Sequence, residues 1–181
     1  MIELYCGDGK GKTTAATGLA IRAAGNYIPV VFVQFMKDGS SGELKVLKKI
    51  EGVRLLVPDV CFGFVKYMTE EQKRETALVY ESLFRQLEQI VGTIETEKRG
   101  MLDNMQAVII LDEVTHACNH GLLSKQAVIS FLDRYGQDME IVLTGRDPAE
   151  EFRERADYIT EMRKVRHPYE RGIKARKGIE K

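Results

Sequence analysis

The chain has 181 residues, and its 27 Lys or Arg residues are balanced by 27 Asp or Glu residues. The length predicts a single domain over residues 1–181, and zero net charge argues against a protein that coats nucleic acid or an anionic membrane. No apolar run is long enough to span a bilayer and no secretory signal opens the chain, so the sequence predicts a cytoplasmic protein.

Short apolar strands alternate with helical segments, which predicts a mainly parallel sheet with helices on both faces. In such a sheet, ligands bind beyond the carboxyl ends of the strands. A long helix is predicted to begin after Thr69, because Thr69 and Gln72 have the spacing of a capping box. An apolar stripe from Leu83 to Ile94 supports this helix. Residues 95–104 are predicted to form a loop. Strands are predicted at 2–6, 29–36, 53–58, 107–111, 140–144 and 158–162, and further helices at 12–24, 43–50, 124–135 and 148–155.

The strongest motif follows the first predicted strand, where residues 7–14 are Gly7, Asp8, Gly9, Lys10, Gly11, Lys12, Thr13 and Thr14. A phosphate-binding loop has the pattern G-x-x-x-x-G-K-[ST]. Its glycines let backbone N–H groups point at the phosphates, and its lysine neutralises their charge. The hydroxyl of the final Ser or Thr binds magnesium. Five positions before Gly11 stands Cys6 instead of glycine. The loop is therefore either one residue short, starting at Gly7, or has a cysteine at its first position. A Gly/Lys-rich surface turn is the alternative, which the strand–loop–helix context disfavours.

The second motif is an apolar strand that ends in Asp112 and Glu113. It is typical of the acidic magnesium-side motif of P-loop NTPases, in which Asp112 or Glu113 would hold Mg²⁺ with Thr13 or Thr14 opposite. An acidic helix start after a strand is the alternative. The sequence contains neither the N-K-x-D motif that reads guanine nor the motifs of protein kinases.

Together with Val33-Gln34-Phe35-x-Lys37 and Thr144-Gly145-Arg146, these motifs resemble the ATP:corrinoid adenosyltransferases of cobalamin metabolism, in the phosphate-loop family rather than the trimeric helical-bundle one. The short loop is itself a trait of that family. The similarity extends through Val165-Arg166-His167 to the C-terminal end and weakens over residues 65–105. The resemblance implies an α/β fold of the three-layer P-loop NTPase type, RecA-like in class.

The resemblance also implies a reaction. Co(I) of a reduced corrinoid would attack the ribose 5′ carbon of ATP, which lies reversed in the loop, and inorganic triphosphate would leave. No protein nucleophile is needed, because the cobalt supplies the electrons. Lys12, Lys10 and Thr13 are the predicted catalytic residues, since they and Mg²⁺ would stabilise charge on the triphosphate. The family further implies a homodimer, and a separate flavoprotein is the predicted reductant because the sequence has no redox motif.

By the same resemblance, Phe62 and Phe64 match an aromatic pair that lies beside the corrin and excludes its lower axial ligand. The second aromatic is Trp in the better-known members, whereas this chain has no tryptophan. The alternative is that both rings are ordinary core residues beneath a loop. Several members also carry an N-terminal helix that covers the corrin, whereas this sequence enters its first predicted strand at Ile2.

Weaker candidates complete the predicted site. Arg146 is predicted to contact phosphate or the corrin amides, and Glu161 the ribose or base of the nucleotide. A solvated loop arginine and a surface strand residue are the alternatives. His116 and His120 have helical metal-ligand spacing with Cys118 between them, but an exposed helix start is preferred because no third ligand is evident.

The basic tail at residues 163–181 carries a net charge of +6, and the rest of the chain carries −6. The tail is predicted either to fold over the acidic body as a lid or to be a mobile end. The alternative functions are a P-loop ATPase or small-molecule kinase that cleaves the terminal phosphate of ATP, and an ATP-dependent nucleic-acid-binding module.

Overall fold

The computed structural model describes residues 1–98 and 107–179. Within those ranges the strands are β1 (Ile2–Cys6), β2 (Val30–Gln34), β3 (Val53–Leu56), β4 (Val108–Asp112), β5 (Glu140–Thr144) and β6 (Tyr158–Glu161). The helices are α1 (Lys12–Ala24), α2 (Gly42–Leu47), α3 (Glu70–Lys98), α4 (Val114–Asn119), α5 (Lys125–Tyr135) and α6 (Glu150–Arg155), with 3₁₀ turns at Val65–Tyr67 and Pro168–Arg171. The strands form one sheet in the order β3-β2-β4-β5-β1-β6, and every neighbouring pair in it is parallel.

Helices cover both faces of the sheet. Every residue of β2, β4 and β5 is accordingly buried, as expected of strands with no face open to solvent. Alternate residues of each strand enter different clusters: Val30 and Phe32 pack with α1 and α2, whereas Val31 and Val33 pack with α3 and α5. This arrangement confirms the predicted three-layer α/β fold with a parallel central sheet.

Helix α3 begins as predicted and ends later than predicted. The Thr69 backbone N–H donates to Gln72 Oε1 at 2.9 Å, and the Gln72 N–H donates to Thr69 Oγ1 at 3.2 Å, which confirms the capping box. The prediction of a loop is wrong at residues 95–98, because the helix continues to Lys98. Glu, Thr and Lys are all compatible with a helix, and no glycine or proline stands between residue 95 and Gly100. Residues 99–104 of that predicted loop lie outside the described ranges.

The carboxyl ends of the strands lie along one edge of the sheet and carry its polar residues. Gln34 ends β2, Asp112 ends β4, Thr144 ends β5 and Glu161 ends β6, while residues 7–11 follow β1. Strand β5 lies between β1 and β4. None of the helices over 1–98 and 107–179 combines the length and the hydropathy that a membrane crossing requires.

Candidate functional site

The phosphate loop spans residues 7–11 between β1 and α1. Cys6 is the buried last residue of β1, so the loop starts at Gly7 and is one residue short. Gly7 has φ 96° and Gly11 has φ 121°, a region that residues with a side chain rarely adopt. A Cβ atom on Gly9 would lie 2.6 Å from the carbonyl oxygen of Met162, so this position admits no side chain.

Backbone hydrogen bonds from the C-terminal part of the chain hold the loop in place. The Gly9 N–H donates to the carbonyl of Met162 at 2.6 Å, and the Met162 N–H donates to the carbonyl of Cys6 at 2.9 Å. The Lys164 N–H donates to Asp8 Oδ1 at 2.9 Å, which lowers the pKa of that carboxyl. These hydrogen bonds fix the conformation of the loop.

Lys12 lies across the mouth of the loop. Its ammonium donates to the carbonyl oxygens of Gly7 and Gly9, both at 2.7 Å, and the residue is only 7% exposed. Burial lowers the pKa of Lys12. No carboxylate forms an ion pair with Lys12 in the described part of the chain. Its charge is therefore available to an anion that enters the loop.

Asp112 is the centre of the polar network beside the loop. It is fully buried and accepts four hydrogen bonds. The hydroxyls of Thr13 and Thr144 donate to its Oδ1, each at 2.8 Å. The amide of Gln34 donates to its Oδ2 at 3.2 Å, and the ammonium of Lys37 donates to the same oxygen at 3.0 Å. This network joins the ends of β2, β4 and β5 to the first turn of α1.

Glu113 follows in the left-handed conformation, with φ 60°, and its N–H donates to Thr144 Oγ1 at 2.9 Å. Burial raises the pKa of Glu113, and the neighbouring Asp112 carboxylate adds to the rise. Thr13, Asp112 and Glu113 offer only oxygen donors, which suit Mg²⁺. No group of three or more His, Cys, Asp or Glu over 1–98 and 107–179 could hold a metal ion by itself. A magnesium site here would therefore draw on the Thr13 hydroxyl and on the phosphates of a nucleotide.

Arg146 and Glu161 both lie beside the loop. The carbonyl of Arg146 accepts from the Thr115 hydroxyl at 3.0 Å, and its charge adds to the effect of burial in lowering the pKa of Lys12. Glu161 pairs with Cys6 in the sheet, and its Cγ would lie 3.1 Å from a Cβ on Gly7. Glu161 therefore borders the first residue of the loop, and the Arg146 charge acts on Lys12. Thr14 and Lys10 are exposed, on α1 and at the loop tip respectively.

Comparison with known proteins identifies the family. The family model for ATP:corrinoid adenosyltransferase BtuR/CobO/CobP matches residues 1–180. The chain belongs to this family. It is 32% identical over 181 residues to a corrinoid adenosyltransferase of Escherichia coli K12, covering 99% of this chain and 85% of that protein. The corrinoid adenosyltransferase CobA of Salmonella typhimurium matches with the same identity and coverage, and a corrinoid adenosyltransferase of Sinorhizobium sp. is 31% identical over 99% of this chain and 79% of its own.

The aromatic pair that the adenosyltransferase resemblance singled out lies on the loop after β3. Phe64 is 76% exposed, whereas Val65 is buried and anchors the loop. The interpretation of Phe64 as a core residue is therefore wrong. Gly63 between the two rings has φ 82°, which allows the chain to turn there. Strands β2, β4 and β5 separate β3 from β1, and no hydrogen bond, ion pair or ring contact in the described ranges joins Phe62 or Phe64 to the phosphate loop.

His116 lies on α4, and His120 is the residue that caps its C-terminal end. Nε2 of His116 and Nε2 of His120 are 3.0 Å apart, and burial lowers the pKa of both rings. Burial raises the pKa of the Cys118 thiol to about 12, so this side chain is a poor metal ligand. His116 is half-buried near the start of α4, whereas His120 is exposed at its end.

Three members of the Asp112 network received no role from the sequence. Gln34, Lys37 and Thr144 stand in segments that carried the family resemblance, yet nothing in their local pattern assigned them a partner. Gln34 alone offered a clue, because it is a polar side chain in a strand that is buried on both faces. Its partner Asp112 lies 78 positions later in the chain.

Proposed function

We propose that the protein transfers the 5′-deoxyadenosyl group of ATP to the Co(I) centre of a reduced corrinoid and releases inorganic triphosphate. The cobalt lone pair forms a bond to C5′, the C5′–O bond breaks, and its electron pair leaves on the triphosphate oxygen, so cobalt becomes Co(III). The observation that carries the proposal is the shortened loop at residues 7–11, in a chain that fits the adenosyltransferase family over residues 1–180.

The loop is suited to stabilising the leaving triphosphate. The Lys12 ammonium donates to two loop carbonyls at 2.7 Å, and its third N–H would donate to the triphosphate as negative charge develops. Lys10 at the loop tip adds a second cation. Arg146 and Glu161 flank the loop, where they would contact the nucleotide. In this proposal the protein positions C5′ in line with the cobalt and holds the departing charge.

Magnesium fits the same place. Thr13, Asp112 and Glu113 would hold it together with the triphosphate oxygens, as hard oxygen donors do. Its contribution would be to neutralise part of the negative charge on the triphosphate. The Lys37 ammonium, 3.0 Å from Asp112 and 3.4 Å from Thr13, balances the buried carboxylate in the absence of the metal.

We assign the corrinoid to the loop that carries Phe62 and Phe64. The Phe64 ring is 76% exposed and therefore accessible to a large apolar ligand. The lower face of a corrin ring would cover it and would lose its axial ligand in doing so. A homodimer, a flavoprotein reductant and a cytoplasmic location remain predictions from the sequence and its resemblance.

The test is an anaerobic reaction of Co(I) corrinoid with ATP and Mg²⁺. We expect formation of a light-sensitive cobalt–carbon bond together with one equivalent of inorganic triphosphate, and no consumption of ATP when corrinoid is omitted. A P-loop ATPase or small-molecule kinase would instead release ADP. ADP as the product, or unchanged Co(I) corrinoid, would contradict the proposal.

A further inference from the structure

The segment after β6, which we call the tail segment (residues 163–179), borders an open cavity beside Lys10 of the phosphate loop. The cavity has a volume of about 510 Å³. Lys10 lines it from the loop side, and all of the remaining lining comes from the tail segment, whose cations there are Arg163, Lys164, Arg166 and Arg176. His167 and a few apolar residues complete the lining. We call this space the tail cavity.

The tail cavity holds more positive charge than its neighbours neutralise. Glu161 pairs with Arg163 at 2.9 Å, and Glu170 pairs with Lys164 at 2.7 Å. Lys10 and Arg166 form no hydrogen bond or ion pair with any residue of the described ranges. Cations that converge on one concave space repel one another unless an anion lies between them. The lining is therefore complementary to an anion.

Guanidinium groups indicate which kind of anion. Arginine presents a planar fork of donors that matches the oxygens of a phosphate group. Lys10 belongs both to the phosphate loop and to the lining of the tail cavity. A chain of phosphates that leaves the loop can therefore enter the cavity while it remains in contact with this lysine. A site with several cations and this volume suits a chain of phosphates better than a single small anion.

We propose that the tail cavity binds inorganic triphosphate after it leaves the phosphate loop, an inference that rests on the proposed function. A phosphodiester on the nucleotide arm of a complete cobalamin has similar chemistry. However, the corrinoid was assigned to the loop after β3, and β3 and β6 are the two opposite edges of the sheet. The five strand spacings between them amount to about 24 Å, which favours the triphosphate as the occupant.

The experiment titrates inorganic triphosphate into protein already saturated with ATP in excess Mg²⁺, with no corrinoid present, so that the phosphate loop is occupied and no turnover occurs. Calorimetry should detect one further site. Arg166→Ala should weaken that site about tenfold, because it removes one charge-assisted contact to phosphate. Arg171→Ala removes a cation of the tail segment that does not line the cavity, and it should leave triphosphate binding unchanged. The affinity of each variant for ATP serves as the check on folding.

Absence of triphosphate binding to the ATP-saturated protein would overturn the assignment. Equal weakening by both substitutions would also overturn it, because the attraction would then be the diffuse charge of the tail segment. Displacement of triphosphate by cobalamin but not by cobinamide, which lacks the nucleotide arm, would overturn it in favour of the phosphodiester. Adenosyl transfer is measured on the same preparation. If transfer fails while triphosphate still binds, the proposed function is contradicted, but the tail cavity is still a binding site for inorganic polyphosphate.

Discussion

The ion pair between Lys37 and Asp112 allows a prediction in which a second substitution repairs the damage of the first. Lys37→Met keeps most of the apolar stem and removes the ammonium that lies 3.0 Å from Asp112 Oδ2. The Asp112 carboxylate then stays fully buried with only neutral donors around it. Adding Asp112→Asn removes the uncompensated charge. The Asn oxygen can still accept from the hydroxyls of Thr13 and Thr144, and its N–H₂ can donate to Oε1 of Gln34 once the Gln34 amide turns over.

The magnitude follows from burial. Two unit charges 3.0 Å apart attract by about 5 kcal/mol at an effective dielectric constant of about 20, before the cost of desolvation is subtracted. Removing one partner of a buried pair costs about 3–5 kcal/mol. We expect about 3 kcal/mol for Lys37→Met, because three neutral hydrogen bonds to Asp112 remain. The double variant should recover about 2 kcal/mol of that loss, since no buried charge is left without a partner.

Urea unfolding of the nucleotide-free protein measures these free energies, provided that the m-value is unchanged. The loss for Lys37→Met corresponds to a fall in Tm of roughly 6–12 °C for a domain of this size. The matched control is Lys125→Met, which breaks an exposed pair with Glu151 and should cost less than about 1 kcal/mol. Strictly additive losses in the double variant would refute the reasoning.

Three further predictions concern the nucleotide, the corrinoid and pH. Lys12→Ala should lower kcat for adenosyl transfer by about a hundred- to a thousandfold, as the loss of one preorganised donor does, and steady-state assays showing near-normal turnover would contradict this. Phe64→Ala should raise the KM for corrinoid at unchanged KM for ATP, whereas Tyr27→Ala, at a site that is 96% exposed, should change neither. Burial, together with the hydrogen bond to Glu3, raises the pKa of Glu140 to about 7. This carboxyl holds its proton more tightly in the folded state, so the free energy of unfolding should fall as pH rises from the ordinary glutamate range to 7. The fall should be at most about 1 kcal/mol, because solvent screens the charge. Glu140→Gln should flatten the change in Tm over that pH range.

Features that depend on neighbours in the chain could be predicted from the sequence. The capping box of Thr69 and Gln72 closes within one helical turn, and the Ser124 side chain caps α5 by accepting from the Ala127 N–H at 3.2 Å. The phosphate loop is equally local, which is why its glycines and Lys12 could be assigned before the fold was known. The end of α3 could not, because the charged residues that precede Gly100 occur in loops and helices alike.

The partners of Asp112 depend instead on strand order. Thr13 lies 99 positions from Asp112 in sequence, and Lys37 lies 75 positions away. A pattern of apolar strands identifies which residues stand at strand ends, but it does not say which ends become neighbours. The order β3-β2-β4-β5-β1-β6 supplies that information, and it brings Gln34 and Thr144 to the same carboxylate. The network therefore became visible only with the fold.

The position of β1 has a consequence for how the protein is made. The first strand of the chain pairs with β5 and β6, its last two strands, and the loop that follows it is fastened to Met162 and Lys164. On the ribosome, where the N-terminal part emerges first, β1 must wait until residues 140–161 have been made before it finds its neighbours. Contacts so distant in sequence also make folding slow. Chains that are cut short before Met162 lack the backbone supports of the phosphate loop, so they should not acquire a formed nucleotide site.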